Sequence, residues 1–257
     1  MTFAWRVRGQ VASECQIRST TALPYGATTA TRNDMLTIVF DLDGTLVDTA
    51  PDLISTLNLI LTQEGMPPVD YDAARRMIGG GARGMIERAV AAEGRVCSKA
   101  ELDRLFGAFI EHYAAHIADR SRPFPKVEAA LEHLAGDGHR LAVCTNKLEW
   151  LSVRLLDMLK LSRHFAAICG QDTFGVQKPD PQMLRLTVQR VGGELDQAVM
   201  VGDSGTDIRT SRAATVPVIA VDFGYSEVPI ATLRPDRIIG SFGDLPAAIR
   251  EIAAGRL

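Results

Sequence analysis

Leu36-Thr-Ile-Val-Phe40 runs without a break into Asp41-Leu-Asp-Gly-Thr45, and the reading of these ten residues decides the fold. The first five form a short apolar run of β-formers without polar alternation, the pattern of a strand covered on both faces in a parallel sheet. The next five end that strand abruptly with two acids, a glycine and a hydroxyl. The surrounding chain has 257 residues, 46% hydrophobic and 23% charged, which is enough to bury a sizeable core and too apolar for disorder over most of its length. A net charge of −3 argues against broad binding to nucleic acid or to an anionic membrane surface. No apolar run approaches the roughly 18 residues needed to span a bilayer. Cys15, Cys97, Cys144 and Cys169 lack metal-type spacing and read as reduced thiols of a cytoplasmic protein.

Downstream of the first strand the pattern is helical. Pro51 suits a first turn, Leu53, Ile54, Leu57, Ile60 and Leu61 form one stripe, and Gly65 ends it. A Gly79-Gly80-Gly81 break follows, read as a hinge or helix break that could also face a substrate. A further helix opens on Ser98-Lys-Ala-Glu101, a capping-box pattern, with a stripe through Leu102, Leu105, Phe106, Phe109 and Tyr113. From Pro123 onward short apolar strands alternate with helices: Leu141–Cys144, Ala166–Cys169, Ala198–Val201, Val218–Val221 and Ile238–Ile239, with helices near 126–135, 149–160, 180–191 and 205–213. Such alternation implies right-handed βαβ crossovers. The expected fold is α/β, a doubly wound parallel sheet with an inserted all-helical cap. The core is expected over 35–48 and 123–257 and the cap over 49–122. Trp150 is expected to pack a helix on the sheet.

Residues 1–34 differ in texture, with Arg6, Arg8, Arg18 and Arg32 against only Glu14 and Asp34. A secretory signal fails because no apolar block follows the early arginines. We expect a disordered extension ahead of an internal start at Met35, with an Arg-rich targeting presequence as the alternative.

Ligands of open parallel sheets bind beyond the carboxyl ends of the strands. The residues leaving the strands are Asp41 and Asp43 with Thr45, then Thr145-Asn146-Lys147, then Lys178-Pro179, then Gly202-Asp203-Ser204-Gly-Thr-Asp207. Asp41 and Asp43 are two apart, so in extended chain both carboxylates project to one side. Like charges that close are costly unless they share a proton or a cation. With Asp203 they form a set of hard oxygen donors that suits Mg²⁺ rather than zinc. An aspartate nucleophile splits a phosphoester hydrolysis into two steps. Lys178 offers a point charge for a phosphoryl group, and the Thr145 hydroxyl can hold its oxygens. A calcium loop starting at Asp41 is disfavoured, because Leu46 and Asp52 stand where Gly and Glu are needed. His112 and His116 lie one helical turn apart without the glutamate of a zinc motif, so they read as a plain helix face.

Taken together, Asp41-Leu-Asp-Gly-Thr-Leu-Val-Asp48, Thr145-Asn146, Lys178-Pro179 and Gly202-Asp203-Ser-Gly-Thr-Asp207 resemble the four ordered motifs of the haloacid dehalogenase superfamily. The resemblance spans residues 36–250, and the cap position resembles the helical-cap subclass. Residues 47–53, 141–147 and 178–181 are similar to those of phosphoglycolate phosphatases. By this resemblance Asp41 is the nucleophile and a metal ligand. Asp43 is the general acid and base, with its backbone carbonyl on the metal. Thr145 and Lys178 stabilise phosphate, Asp203 ligates Mg²⁺, and Asp207 lies behind the ligands with Ser204. Thr45 and Asn146 are expected beside the phosphate as well. Two departures stand out: Lys126 where the family commonly has Gly, and Leu148 where it commonly has Pro.

The expected activity is Mg²⁺-dependent phosphomonoester hydrolysis on a small metabolite, with 2-phosphoglycolate the first choice. Another sugar-phosphate phosphatase, a pyrophosphatase or a phosphomutase is the alternative within the superfamily. A non-catalytic regulatory protein is the alternative from another class, disfavoured because binding alone needs no paired carboxylates. Dehalogenation is disfavoured by Asp43, since no alkoxide needs a proton there. Phosphonate hydrolysis would be expected, by resemblance, to use a cap lysine, and Lys99 is the only one. Arg83, near the glycine run, is a candidate clamp for a substrate carboxylate, against the plainer reading of an exposed side chain. No interface is legible, so the oligomeric state stays open.

Overall fold

The computed structural model describes residues 35–255; the readings made for residues 1–34 lie outside the described residues. The opening strand, β1 (Thr37–Phe40), is buried along its whole length. It leads into a two-residue strand, β2 (Val47–Asp48), which pairs antiparallel with β3 (Arg122–Pro123). Four helices lie between these two: α1 (Ala50–Gln63), α2 (Tyr71–Arg75), α3 (Gly81–Ala92) and α4 (Lys99–Ala115). The short β2–β3 ladder was not legible in sequence, because neither dipeptide has a period of its own. The base of the insertion is also tied at Asp52, which is 3% exposed. Its carboxylate accepts the backbone N–H of Arg120 (3.0 Å) and both the N–H and hydroxyl of Ser121 (2.7 Å each).

The remaining elements are α5 (Val127–Gly136), β4 (Arg140–Cys144), α6 (Glu149–Met158), β5 (Ala167–Cys169), α7 (Pro181–Arg190), β6 (Ala198–Gly202), α8 (Gly205–Ala214), β7 (Val218–Val221), β8 (Arg237–Ile239) and α9 (Leu245–Ala254). Six strands form one sheet in the order β5-β4-β1-β6-β7-β8, every neighbouring pair parallel. The expected α/β doubly wound sheet is therefore present. The chain builds outward from β1 on one side through β4 and β5, then returns to build the other side. The switch point lies between β1 and β6, where open sheets place their ligands.

Strand periodicity explains why the sequence runs look uniformly apolar. Ile38 and Phe40, Leu141 and Val143, and Val199 and Val201 face one cluster, which includes Leu131, Leu155 and Ile249 of the covering helices α5, α6 and α9. The intervening Val39, Ala142, Cys144 and Met200 face a second cluster with Met183, Leu184 and Ile208 of α7 and α8. Both faces are covered, so neither residue parity needs to be polar.

Some local expectations need correction. Trp150 is 47% exposed and does not seal α6 on the sheet; Leu151, Leu155 and Leu156 do. Ser98 caps α4 through Glu101 N–H (3.2 Å), but the Glu101 side chain pairs with Arg95, so the capping box is only half formed. Helix α9 was not anticipated, although Pro246 lies in its first turn. The unusual Lys126 has φ 68°, a left-handed residue at the N-cap of α5, where a Cβ costs about 1–2 kcal/mol and glycine is favoured. Leu148 has φ −60°, a value that proline also adopts. Among the described residues, no helix is long and apolar enough to cross a membrane.

Candidate active site

Register delivers the predicted acids to one place. Phe40 pairs with Val143 on one side and Val201 on the other. The residues just beyond, Asp41, Thr145 and Asp203, therefore leave three adjacent strands at nearly the same level. Backbone bonds hold two of those exits: Asp41 N–H to Val201 carbonyl (2.9 Å) and Thr145 N–H to Cys169 carbonyl (3.0 Å). Asp41, Thr145, Lys178, Asp203 and Asp207 are all buried.

Lys178 sits at the centre, its ammonium 2.9 Å from Asp41 Oδ1 and 2.6 Å from Asp207 Oδ1. Asp41 Oδ1 also accepts the Leu42 N–H at 2.7 Å. Both contacts fall on Oδ1, so Oδ2 is the Asp41 oxygen left for a reaction partner. Asp203 accepts the Thr45 hydroxyl on Oδ1 (2.8 Å) and the Tyr225 N–H on Oδ2 (2.7 Å). Asp207 Oδ2 accepts from the Asp203 and Ser204 N–H groups and from the Ser204 hydroxyl, within the capping box that opens α8. Both Asp207 oxygens thus have partners within the protein.

The charge balance in this crevice is unfavourable. Asp41, Asp203 and Asp207 each offer an oxygen within 4.8 Å of the others, with Lys178 as the buried cation among them. Burial, opposed by Lys178 and reinforced by Asp207, pushes the Asp41 carboxyl well above its ordinary value. Asp203 is pushed up in the same direction by burial, then by Asp207 and Asp41. For Lys178 the burial penalty is outweighed by the attraction of Asp207 and Asp41, and its ammonium is held charged. A crevice of oxygen donors with excess negative charge fits a hard divalent cation. Its walls are close as well. A Cβ on Gly44, which has φ +86°, would lie 2.5 Å from Asp203 Oδ2, and one on Gly224 would lie 2.2 Å from Asp203 Cβ. Only glycine lets these two turns close around that carboxylate.

Asp43 points elsewhere. Its carboxylate takes the Lys147 ammonium at 2.9 and 3.2 Å, and Lys147 also donates to the Tyr113 hydroxyl at 2.9 Å. Asp41 and Asp43 both line the cavity between the strand ends and the inserted helices, together with Thr145, Gly79 and Gly81. The glycine break therefore faces the site. Phe106, Phe109, Met85 and Ile78 supply an apolar wall from the inserted helices.

Three residues expected at the substrate have other partners within the protein, although Asn146 still lines the cavity. Thr45 is fully buried, and its hydroxyl is directed at Asp203 rather than at a phosphate. Asn146 brackets the Lys178 backbone, accepting its N–H (2.9 Å) and donating to its carbonyl (3.0 Å), so its amide positions Lys178. Arg83 lies outside the cavity lining, 2.6 Å from Asp103 and stacked 4.6 Å over the Phe106 ring. The imidazoles of His112 and His116 stack on each other at 4.4 Å, away from this cavity.

Sequence reading missed Lys147, Tyr113 and Tyr225. Lys147 stands beside Thr145 and Asn146 in the sequence, but a lone lysine reads as solvated until the fold buries it. Tyr113 looked like one more residue of an apolar stripe. Tyr225 follows the fifth strand of the sheet in chain order, in a segment with no motif of its own to mark it. Its hydroxyl accepts the N–H groups of Thr49 and Ala50 (2.8 and 2.9 Å) and donates to Asp48 (2.6 Å), tying the Asp203 loop to the start of α1.

An acid-lined crevice at the switch point of a doubly wound sheet, overhung by helices inserted after the first strand, defines a Rossmann-like α/β fold with its site beneath a helical insertion. The family model of the haloacid dehalogenase-like hydrolases matches residues 38–221. The chain belongs to that family. Among its relatives, a phosphoglycolate phosphatase of Mesorhizobium japonicum is 49% identical over 214 residues, covering 83% of this chain and 94% of the relative. A phosphoglycolate phosphatase of Caulobacter vibrioides is 49% identical over 212 residues, covering 82% and 90%. A solved structure described as a predicted phosphoglycolate phosphatase from Haemophilus somnus superposes with a TM-score of 0.79 at 30% identity, covering 84% of this chain and 98% of the other.

Proposed function

We propose that the protein is a Mg²⁺-dependent phosphomonoesterase whose preferred substrate is 2-phosphoglycolate, yielding glycolate and phosphate. The observation that carries the reaction class is the placement of Asp41 on the cavity, with Lys178 and the oxygen-donor cluster behind it and Asp43 beside it. The relatives named above support the substrate. A cytoplasmic setting belongs to the same reading, supported by the free thiols of Cys97, Cys144 and Cys169.

Asp41 Oδ2 attacks phosphorus, and the bond from phosphorus to the ester oxygen breaks. Asp43 gives its proton to the departing alkoxide, so glycolate leaves as the alcohol. Asp43, now ionised, takes a proton from water as that water attacks the phosphoryl group on Asp41, which frees phosphate and restores both carboxyls. Lys178 and the Thr145 hydroxyl hold the non-bridging oxygens through both steps. Asp41, Asp203 and the Asp43 carbonyl would hold Mg²⁺, which would supply positive charge to the phosphoryl group. The Lys147 contact keeps the Asp43 carboxylate turned away from the ligand cluster and toward the leaving-group side of the cavity.

Phosphate release from a panel of 2-phosphoglycolate, sugar phosphates, glycerol phosphate and pyrophosphate in Mg²⁺ tests the substrate. We expect kcat/KM for 2-phosphoglycolate to exceed the others by about 10-fold or more, because the apolar wall leaves sugar hydroxyls unpaired. A sugar phosphate or pyrophosphate leading the panel would reassign the enzyme within its family. No turnover of any ester would favour the regulatory reading.

A further inference from the structure

We infer that Lys147 and Tyr113 together form the receptor for the substrate's carboxylate, making this pair the element that selects phosphorylated short-chain acids over other phosphomonoesters. This inference rests on the phosphatase reading and concerns the far end of the same cavity.

A substrate with two anionic ends needs two cationic or donor groups. Lys178, between Asp41 and Asp207, serves the phosphoryl end. Arg83, the sequence candidate for the other end, is engaged with Asp103 and absent from the lining. Among the described residues that line the cavity, Lys147 carries the one cationic side chain. It is buried, 7% exposed, and is held by two groups, the Asp43 carboxylate and the Tyr113 hydroxyl.

Hydrogen-bond capacity is left over in this pair. An ammonium has three protons. They reach both Asp43 oxygens, at 2.9 and 3.2 Å, and the Tyr113 hydroxyl, at 2.9 Å, so a substrate carboxylate would take over the proton now on the longer Asp43 contact. The Tyr113 oxygen accepts the lysine bond, so its own proton has no acceptor among the described residues. Tyr113 is 1% exposed, and burial, followed by the charges of Asp43 and Asp52, holds the phenol protonated. An N–H and an O–H on adjacent, fixed atoms match the two oxygens of one carboxylate. The surroundings reinforce the selection. Phe109, Phe106 and Ile110 offer no partner to a hydroxyl, so a polyol chain would lose its hydrogen bonds to water without replacement. A two-carbon acid would set only its methylene against that wall.

The test compares kcat/KM for 2-phosphoglycolate and for ethyl phosphate, which has the same two-carbon frame without the carboxylate. Lys147→Gln is expected to reduce the preference for the acid by about 10- to 100-fold, the range for one hydrogen-bonded charge. Any loss through the altered surroundings of Asp43 affects both esters and cancels in the ratio. Tyr113→Phe, which leaves the Lys147–Asp43 contact in place, is expected to reduce the same ratio by about 3- to 10-fold. Lys147→Arg is expected to retain more of the preference than Lys147→Gln. An unchanged ratio in both Lys147→Gln and Tyr113→Phe would overturn the inference and leave Lys147 as a positioning residue for Asp43. The wild-type ratio judges the underlying reading separately: a wild-type enzyme indifferent to the carboxylate would overturn the substrate assignment, and this inference with it.

Discussion

Asp41→Asn is expected to reduce phosphate release by on the order of 10,000-fold or more, while the folded protein persists. The substitution keeps the size of the side chain and its burial beside Phe40 and Leu42. It replaces the oxygen that would attack phosphorus with a poor nucleophile and withdraws one of the two carboxylates facing Lys178. Stability is expected to move the other way. Burial and Asp207 raise the Asp41 pKa, so in the folded state without bound cation the ionised form is disfavoured relative to the unfolded chain. Such a group contributes stability at low pH that is lost as pH rises through its folded pKa. At neutral pH the uncharged amide removes that cost, and Lys178 keeps Asp207 as its partner. Thermal unfolding should give a midpoint equal to or above wild type. A variant that is inactive because it is unfolded would be separated by that scan, and one retaining more than about a hundredth of the activity would contradict a nucleophilic role.

Chelation is expected to have an effect of similar size. Phosphate release should fall to background in EDTA and return on adding excess Mg²⁺. The reason lies in the crevice charge: Asp41, Asp203 and Asp207 crowd within 4.8 Å around one lysine, and their repulsion is relieved by a divalent ion. The same relief should appear as stability. At a Mg²⁺ concentration 100 times its dissociation constant, binding to the folded state alone contributes about 2.7 kcal/mol. For a chain of this length that is several degrees in the unfolding midpoint. Asp203→Asn should lose both the activity and most of that shift, since Asp203 is the acid pressed between Gly44 and Gly224. Full activity in EDTA would contradict the assignment of the cluster to a cation.

How far the sequence could be read depends on the range of the interaction involved. The strand at Thr37–Phe40 and the acids behind it were legible because parallel strands buried on both faces have a one-dimensional signature, and strand ends position whatever follows. Asp41, Thr145 and Asp203 converge because they leave neighbouring parallel strands, which the alternation of strands and helices already implied. Side-chain direction was not legible. Thr45 and Asn146 carry phosphate-binding chemistry, yet tertiary partners 158 and 32 residues away claim their polar atoms. Arg83 sits near the right loop but on a helix face turned to Asp103, and a separation of 20 positions in the chain hides that pairing. Lys147 and Tyr113 were invisible for the opposite reason, each ordinary in its own segment and informative only when α4 lies over the strand ends. Trp150 was misplaced because size alone suggested burial, whereas the stripe of α6 is carried by its leucines.

The central claim is that Asp41 becomes covalently phosphorylated during turnover, and acid quenching tests it most directly. Wild-type enzyme mixed with 2-phosphoglycolate and Mg²⁺ should be stopped in acid within the first turnover, digested and mapped by mass spectrometry. One added phosphoryl group is expected on the peptide that carries Asp41, and none in Asp41→Asn. Single-turnover release of phosphate with no phosphorylated peptide at any quench time, or with the label on another residue, would contradict it.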